Sequence, residues 1–175
     1  MAELRGWAPL EHRAADLARI ADLTTGTIQI TEETFLQQLD IRTQDPTSFG
    51  LPTSPNTWRE MREMNGVNAL WLGPDEWLVV GGADAVRDAW EGSASIVDVG
   101  ASRAVLDLGG PGVRDLLLKG SSLDLHPSKW ASGACAQTML AKAPVLLQQR
   151  QDVTRIFVRP SFTDYLLEWF LAACT

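Results

Sequence analysis

The stretch VNALWLGPDEWLVVGG, residues 67–82, constrains the fold more than any other part of the chain. Two apolar runs flank Gly73, Pro74 and Asp75, the residues that supply turn chemistry between antiparallel strands. ADAVRDAWEG follows at once, with its apolar positions at helical spacing and Gly92 to close it. The same order returns near the end of the chain. LLQQRQDVTRIFVRPSFTDYLLEWF reads strand, turn, strand and helix, and Trp169 falls late in its helix as Trp90 does in the first. This weak internal duplication predicts an α+β chain of two similar half-domains, each an antiparallel sheet plus helices. A single domain over residues 1–175 is expected, with halves at about 1–92 and 93–175.

The remaining segments fit around those two units. PLEHRAADLARIADL places Leu10, Ala14, Leu17, Ala18 and Ala21 on one side of a helix, with His12 on the wet face. TGTIQITEE alternates and is rich in Thr and Ile, which predicts a short strand. ETFLQQLDIRT fits a short helix or a strand. Residues 45–57, DPTSFGLPTSPNT, hold three prolines and a glycine and read as a loop, either laid across a partner or mobile at the surface. SIVDVGASRAVLDLGG gives strands around a Gly-Ala-Ser turn. PGVRDLLLKG is a helix opened by proline and closed by glycine. CAQTMLAKAPVLLQQ gives two strands joined at Ala-Lys-Ala-Pro. In the last helix Ser161 is the expected cap, with Phe162, Tyr165, Leu166 and Trp169 on one face and Phe170 at its edge.

Composition narrows the function classes. With 175 residues, 45% hydrophobic and 21% charged, the balance is that of a globular chain. The apolar runs are too short to cross a bilayer, and the first twenty residues have no apolar signal core. Cys135 and Cys174 suggest no disulfide framework, so a reducing cytoplasm is the expected location. A net charge of -7 without a basic window argues against nucleic acid as partner. Seven tryptophans beside one tyrosine are compatible with a buried core and with a large protein interface.

Chemistry is harder to find. Asp124, His126 and Cys135 can be written as a nucleophile arrangement, yet Cys135 opens a strand-like run with no helix N-terminus or basic neighbour to lower its pKa. It reads as a buried structural thiol, and Asp124, His126 and Pro127 as a turn with local hydrogen bonds. Two histidines more than 100 positions apart and two isolated cysteines give no metal-ligand spacing. LDLGGPGVRD has a glycine cluster before a helix but neither the Walker ending nor a GxGxxG register, so Gly109 and Gly110 serve a bend. Catalytic, cofactor-binding and metal residues are all expected to be lacking.

Several strings carry a resemblance. ALWLGPDEWLVV, VDVGASRAVLDLGGPGVRDLLLKGSSLDLHP, GACAQTMLAKAPVLLQQ and VRPSFTDYLLEWF resemble the gamma subunit of bacterial heterotetrameric sarcosine oxidase, from about Trp7 to the C-terminus. The resemblance implies an oxidoreductase that demethylates sarcosine to glycine and delivers the one-carbon unit to tetrahydrofolate. It implies that FAD, FMN and NAD belong to the alpha and beta subunits and zinc to delta. This chain would carry no cofactor and would dock directly on alpha. The implied fold is similar to the folate-binding domain of aminomethyltransferase.

Folate-binding relatives place an acidic residue on the strand pair after a Thr-x-Leu segment. The corresponding run here passes from Thr138 through Met139 and Leu140 to Leu146 and Leu147, where that acid would fall. A leucine cannot accept a pterin's hydrogen bonds, so the departure argues against folate chemistry on this chain. Two readings stand: a non-catalytic subunit, inactive alone, and a free-standing folate-binding or one-carbon-transfer protein of the same fold. For the first, a permanent interface of roughly 2,000 Å² or more is expected. Leu123, Asp124, Leu125, His126, Pro127 and Trp130 form its candidate surface, an apolar run without periodicity that could equally cover its own core.

Overall fold

The computed structural model describes residues 8–64, 66–90 and 92–175. Trp7, Glu3 and Glu91 lie outside these residues. The chain runs α1 (Ala14–Leu23), β1 (Gln29–Glu32), β2 (Gln38–Arg42), β3 (Trp58–Glu60), β4 (Asn68–Gly73), β5 (Glu76–Val80), α2 (Ala83–Trp90) and β6 (Ser95–Asp98). It continues through β7 (Ala104–Gly109), α3 (Val113–Leu118), β8 (Cys135–Leu140), β9 (Ala143–Gln149), β10 (Val153–Val158) and α4 (Thr163–Ala173). Every strand pairing is antiparallel, in two five-stranded sheets ordered β1-β7-β10-β9-β8 and β3-β4-β5-β2-β6. The expected α+β architecture is thus the one present.

The duplication is visible in the strand order. Hairpin β4–β5 precedes α2 as hairpin β9–β10 precedes α4, and β2 and β7 hold matching positions beside them. The outermost strands are exchanged. β1, from the N-terminal part, pairs with β7, while β6, which follows residue 92, pairs with β2. Sheet membership therefore crosses the position where the two sequence halves meet. The Gly-Ala-Ser turn joins β6 and β7, which lie in different sheets, so this segment is a crossover between sheets.

Side-chain alternation builds the layers. On β7 and β10, Leu106, Leu108, Ile156 and Val158 pack beneath Ile20, Leu116, Leu117, Leu166 and Phe170 of the helices. On β5, Trp77 and Val79 join Val86 and Trp90 of α2. The intervening positions meet between the sheets, where Leu70, Leu78 and Val80 face Val105, Leu146 and Phe157. Both faces of the central strands are covered, which is why these segments read as continuous apolar runs. The six described tryptophans are all buried or half-buried. Residues 45–57 are irregular as expected. They lie on their own domain: Leu51 and Pro52 are buried, and Trp77 Nε1 donates to Pro52 O at 2.8 Å.

Local expectations shift at the starts of α1 and α4, and one open choice between helix and strand is settled as strand. A 3-10 turn at Glu11–Arg13 precedes α1, so Leu10 is out of phase with the helix and Ile20 is the helix's buried residue. ETFLQQLDIRT contains the strand β2. Another 3-10 turn at Pro160–Phe162 precedes α4, which takes Phe162 off the helical face. That face buries Thr163, Leu166, Leu167 and Phe170. Tyr165 stands outside it, and its Oη accepts Lys142 N–H at 3.2 Å. Ser161 does not cap the helix: no side chain caps it, and Thr163 Oγ1 donates back to Pro160 O at 2.8 Å. Among the described residues no helix is long and apolar enough to cross a membrane.

Candidate functional site

The histidine-cysteine stretch resolves into two unrelated pieces. Asp124 Oδ1 accepts His126 N–H at 3.0 Å, and His126 Nδ1 lies 2.8 Å from Ser128 Oγ. His126 O then accepts the backbone N–H groups of Lys129 and Trp130, at 2.8 Å each. This is the self-contained turn that the residue types predict. Cys135 sits elsewhere, on β8 between the sheets, and donates to Thr57 O at 3.2 Å. Burial pushes its thiol up to about 12, so it is protonated and a poor nucleophile at neutral pH. Neither Asp124 nor His126 is among its partners.

The glycine cluster has a steric cause. Gly110 takes a positive φ of 106°, and a Cβ there would collide with Thr27 O. Gly112 N–H donates to that same carbonyl at 3.0 Å. The turn from β7 into α3 thus passes against the residues that lead into β1. Among the described residues no group of three His, Cys, Asp or Glu side chains could hold a metal ion.

On β9 lie Leu146 and Leu147, the positions at which the resemblance to folate-binding relatives would place an acid. Leu147 is buried under the helices and Leu146 between the sheets. Both positions are filled with aliphatic packing, and neither offers an acceptor to a pterin.

The six docking candidates divide. Leu125 is 1% exposed and Trp130 is 6% exposed, and both belong to the core beneath the helices, with Leu123 half-buried against it. Asp124, His126 and Pro127 are exposed. The lack of periodicity here reflects a turn that drops two apolar side chains into its own domain.

A different place collects unsatisfied groups. The β1–β2 connection and the β6–β7 crossover pass each other between the sheets, and a cleft of about 390 Å³ lies beside them, lined by Leu36, Gln38, Arg103, Val105 and Pro160 among others. Gln38 is 1% exposed; its Nε2 donates to Arg103 O at 3.1 Å, while its Oε1 has no partner among the described residues. Arg103 has no carboxylate within 4.0 Å among those residues. Its hydrogen bond is a long one, to Ser102 Oγ at 3.5 Å. Burial pulls the guanidinium below its ordinary value, against the opposing fields of Asp40 and Glu76. Those two carboxylates are occupied with Arg42, whose Nη2 lies 3.1 Å from Glu76 and whose Nε lies 3.6 Å from Asp40. Burial, reinforced by Asp40, raises Glu76. At the cleft's rim Phe35 is 70% exposed and holds a positive φ of 59°.

Sequence reasoning missed Phe35, Gln38 and Arg103. It also missed the pair of buried Arg155 and half-buried Asp107, joined by two hydrogen bonds of 2.7 Å across β7 and β10. Gln38 lies in the segment that fitted helix or strand, so its facing was open. No spacing signal marks an aromatic residue with positive φ.

Residues 63–175 match the model of the "Sarcosine oxidase, gamma subunit family". Sarcosine oxidase subunit gamma from Corynebacterium sp. (strain P-1) is 30% identical over 183 residues, covering 95% of this chain and 88% of the relative. The Arthrobacter sp. subunit gamma is 30% identical over 185 residues, covering 96% and 89%. A chain of the heterotetrameric sarcosine oxidase from Corynebacterium sp. U-96, solved in complex with pyrrole 2-carboxylate, superposes with a TM-score of 0.83 at 28% identity. That match covers 96% of this chain and 94% of the other. Aminomethyltransferase T of the glycine cleavage system from Bartonella henselae shares the fold, with a TM-score of 0.62 at 13% identity. It is matched over 89% of this chain and 48% of its own.

Proposed function

Because the chain belongs to the sarcosine oxidase gamma subunit family, we propose that it is a structural, non-catalytic subunit of a heterotetrameric sarcosine oxidase. On this reading the assembled enzyme oxidises sarcosine to glycine and passes the one-carbon unit to tetrahydrofolate. FAD, FMN and NAD are then held by the alpha and beta subunits and zinc by delta. This chain docks on alpha, and the assembly works in the cytoplasm.

The observation that carries the non-catalytic reading is the packing at Leu146 and Leu147. The fold is shared with an aminomethyltransferase, yet the strand that would present an acid to folate presents two buried leucines. Cys135, the one thiol near an apparent active site, is buried with its pKa raised. A reaction that moves a proton or a one-carbon unit needs a group poised to accept or donate, and neither place supplies one. The same packing weighs against a free-standing folate protein.

The test is to recover tagged chain from its native host and read flavin absorbance on the eluate, and separately to assay the purified chain alone. Flavoprotein subunits are expected to co-elute, and the chain alone is expected to form no hydrogen peroxide from sarcosine above a boiled control. Peroxide formation by the isolated chain, or an eluate without flavin, overturns the reading.

A further inference from the structure

At the C-terminal end of α3, exposed apolar side chains stand beside cations that have no counter-charge. Leu118 is 51% exposed, Tyr165 is exposed and Trp169 is half-buried, and with Lys119 and Lys142 they line one shallow depression. No carboxylate lines it. Among the described residues neither lysine has a carboxylate within 4.0 Å. The acids of the neighbouring helices serve other places. Asp164 and Glu168 of α4 pair with Arg13, and Asp115 of α3 lines the separate cleft at the β7–α3 turn. On a chain of net charge -7, this patch is locally positive.

Its parts are held in place before anything binds. A Cβ on Gly120 would meet Trp169 Cζ2 at 2.5 Å, so the indole lies directly against the backbone there. Its other neighbour is Phe170, at 5.4 Å between ring centroids. Tyr165 Oη accepts the N–H of Lys142, which fixes the phenol to the β8–β9 turn. In that turn Ala141 takes a positive φ of 51° and donates to Gly120 O at 2.8 Å. A non-glycine residue at such a φ is strained, and the strain here sets Lys142 beside the aromatic pair.

We propose that this patch docks an acidic segment of a partner subunit, whose carboxylates pair with Lys119 and Lys142 while one apolar side chain seats against Leu118, Tyr165 and Trp169. This rests on the subunit reading and specifies the face that such a subunit would use. Rigid aromatic side chains with a charged rim are the composition of a protein interface. A second copy of the chain would set the same two lysines against each other across a two-fold axis. An anionic lipid surface would attract the two lysines but repel the chain as a whole.

The experiment co-expresses tagged chain with the other subunits of its complex, and measures both assembly and the melting temperature of the isolated chain. Leu118→Ser and Lys142→Glu alter exposed side chains and are expected to leave that melting temperature unchanged. Leu118→Ser is expected to weaken assembly roughly tenfold. Lys142→Glu is expected to weaken it at low salt and much less at high salt, with Lys142→Arg retaining wild-type behaviour. Wild-type assembly in both Leu118→Ser and Lys142→Glu overturns the docking site while leaving the subunit reading intact. Failure of the wild-type chain to assemble with flavoprotein overturns the subunit reading and this inference with it. A lowered melting temperature in both variants makes the patch part of the fold and overturns the proposal. Binding of the isolated wild-type chain to phosphatidylserine vesicles, lost in Lys142→Glu, makes it a lipid-facing surface and likewise overturns the proposal. So does a dimer of the isolated chain that dissociates in Leu118→Ser.

Discussion

Cys135 shows how environment sets what a residue can do. Its Sγ–H donates to Thr57 O at 3.2 Å, and with Leu70, Leu146 and Phe157 it fills the space between the sheets. Desolvation raises its pKa from 9.0 to about 12. Between those values the unfolded chain releases the proton and the folded chain keeps it. The protonated thiol's contribution to stability is therefore full below pH 9 and lost as pH rises toward 12. Denaturant melts should show stability declining over that window in wild type, with the decline reduced in Cys135→Ala. An equal decline in both would remove Cys135 as its cause. The sequence suggested a buried thiol here from its neighbours alone. It could not show that Leu125 and Trp130 turn inward while His126 stays in water, because a turn without periodicity does not declare its facing.

At the scale of elements, the hairpins and helices were legible because their signals are local. Gly73, Pro74 and Asp75 between apolar runs gave β4–β5, and glycine after Trp90 gave the end of α2. What failed was phase at the helix starts. Single 3-10 turns before α1 and α4 displaced Leu10 and Phe162 from the helical faces assigned to them. The β7–α3 turn was legible as a bend, but its packing partner was 80-odd positions away. Gly110 must pass Thr27 O with a positive φ, so a Cβ brings both strain and collision. Gly110→Ala is expected to destabilise the chain by about 2 kcal/mol or more, read as a lower urea midpoint at unchanged slope. A midpoint within error of wild type would mean that the turn yields freely.

For the whole molecule, the duplication was legible but the strand exchange was not, since an edge strand of four residues carries no sign of which sheet it joins. β1 and β6 each complete the sheet built mainly from the other side of residue 92. That exchange, together with the apolar layer between the sheets, argues that neither half holds its structure alone. A fragment of residues 93–175 loses β1, whose Ile30 is buried in the core of the β1-β7-β10-β9-β8 sheet, and keeps β6 without its partner β2. A fragment of residues 1–92 keeps β1 with no β7 to pair and loses β6. The first bares the inter-sheet faces of Val105, Leu146 and Phe157, and the second those of Leu70, Leu78 and Val80. Burying a side chain of this kind stabilises by about 1.5–3 kcal/mol, so exposing these faces forfeits roughly 10 kcal/mol between the two fragments, comparable with the about 5–15 kcal/mol by which a domain is stable. The intact chain is therefore expected to unfold in one calorimetric transition, with the calorimetric and van't Hoff enthalpies equal. Each fragment alone should lack a cooperative melt. Two resolved transitions in the intact chain, or a cooperatively folded fragment of residues 93–175, would show that the halves are independent and that the exchanged strands are dispensable.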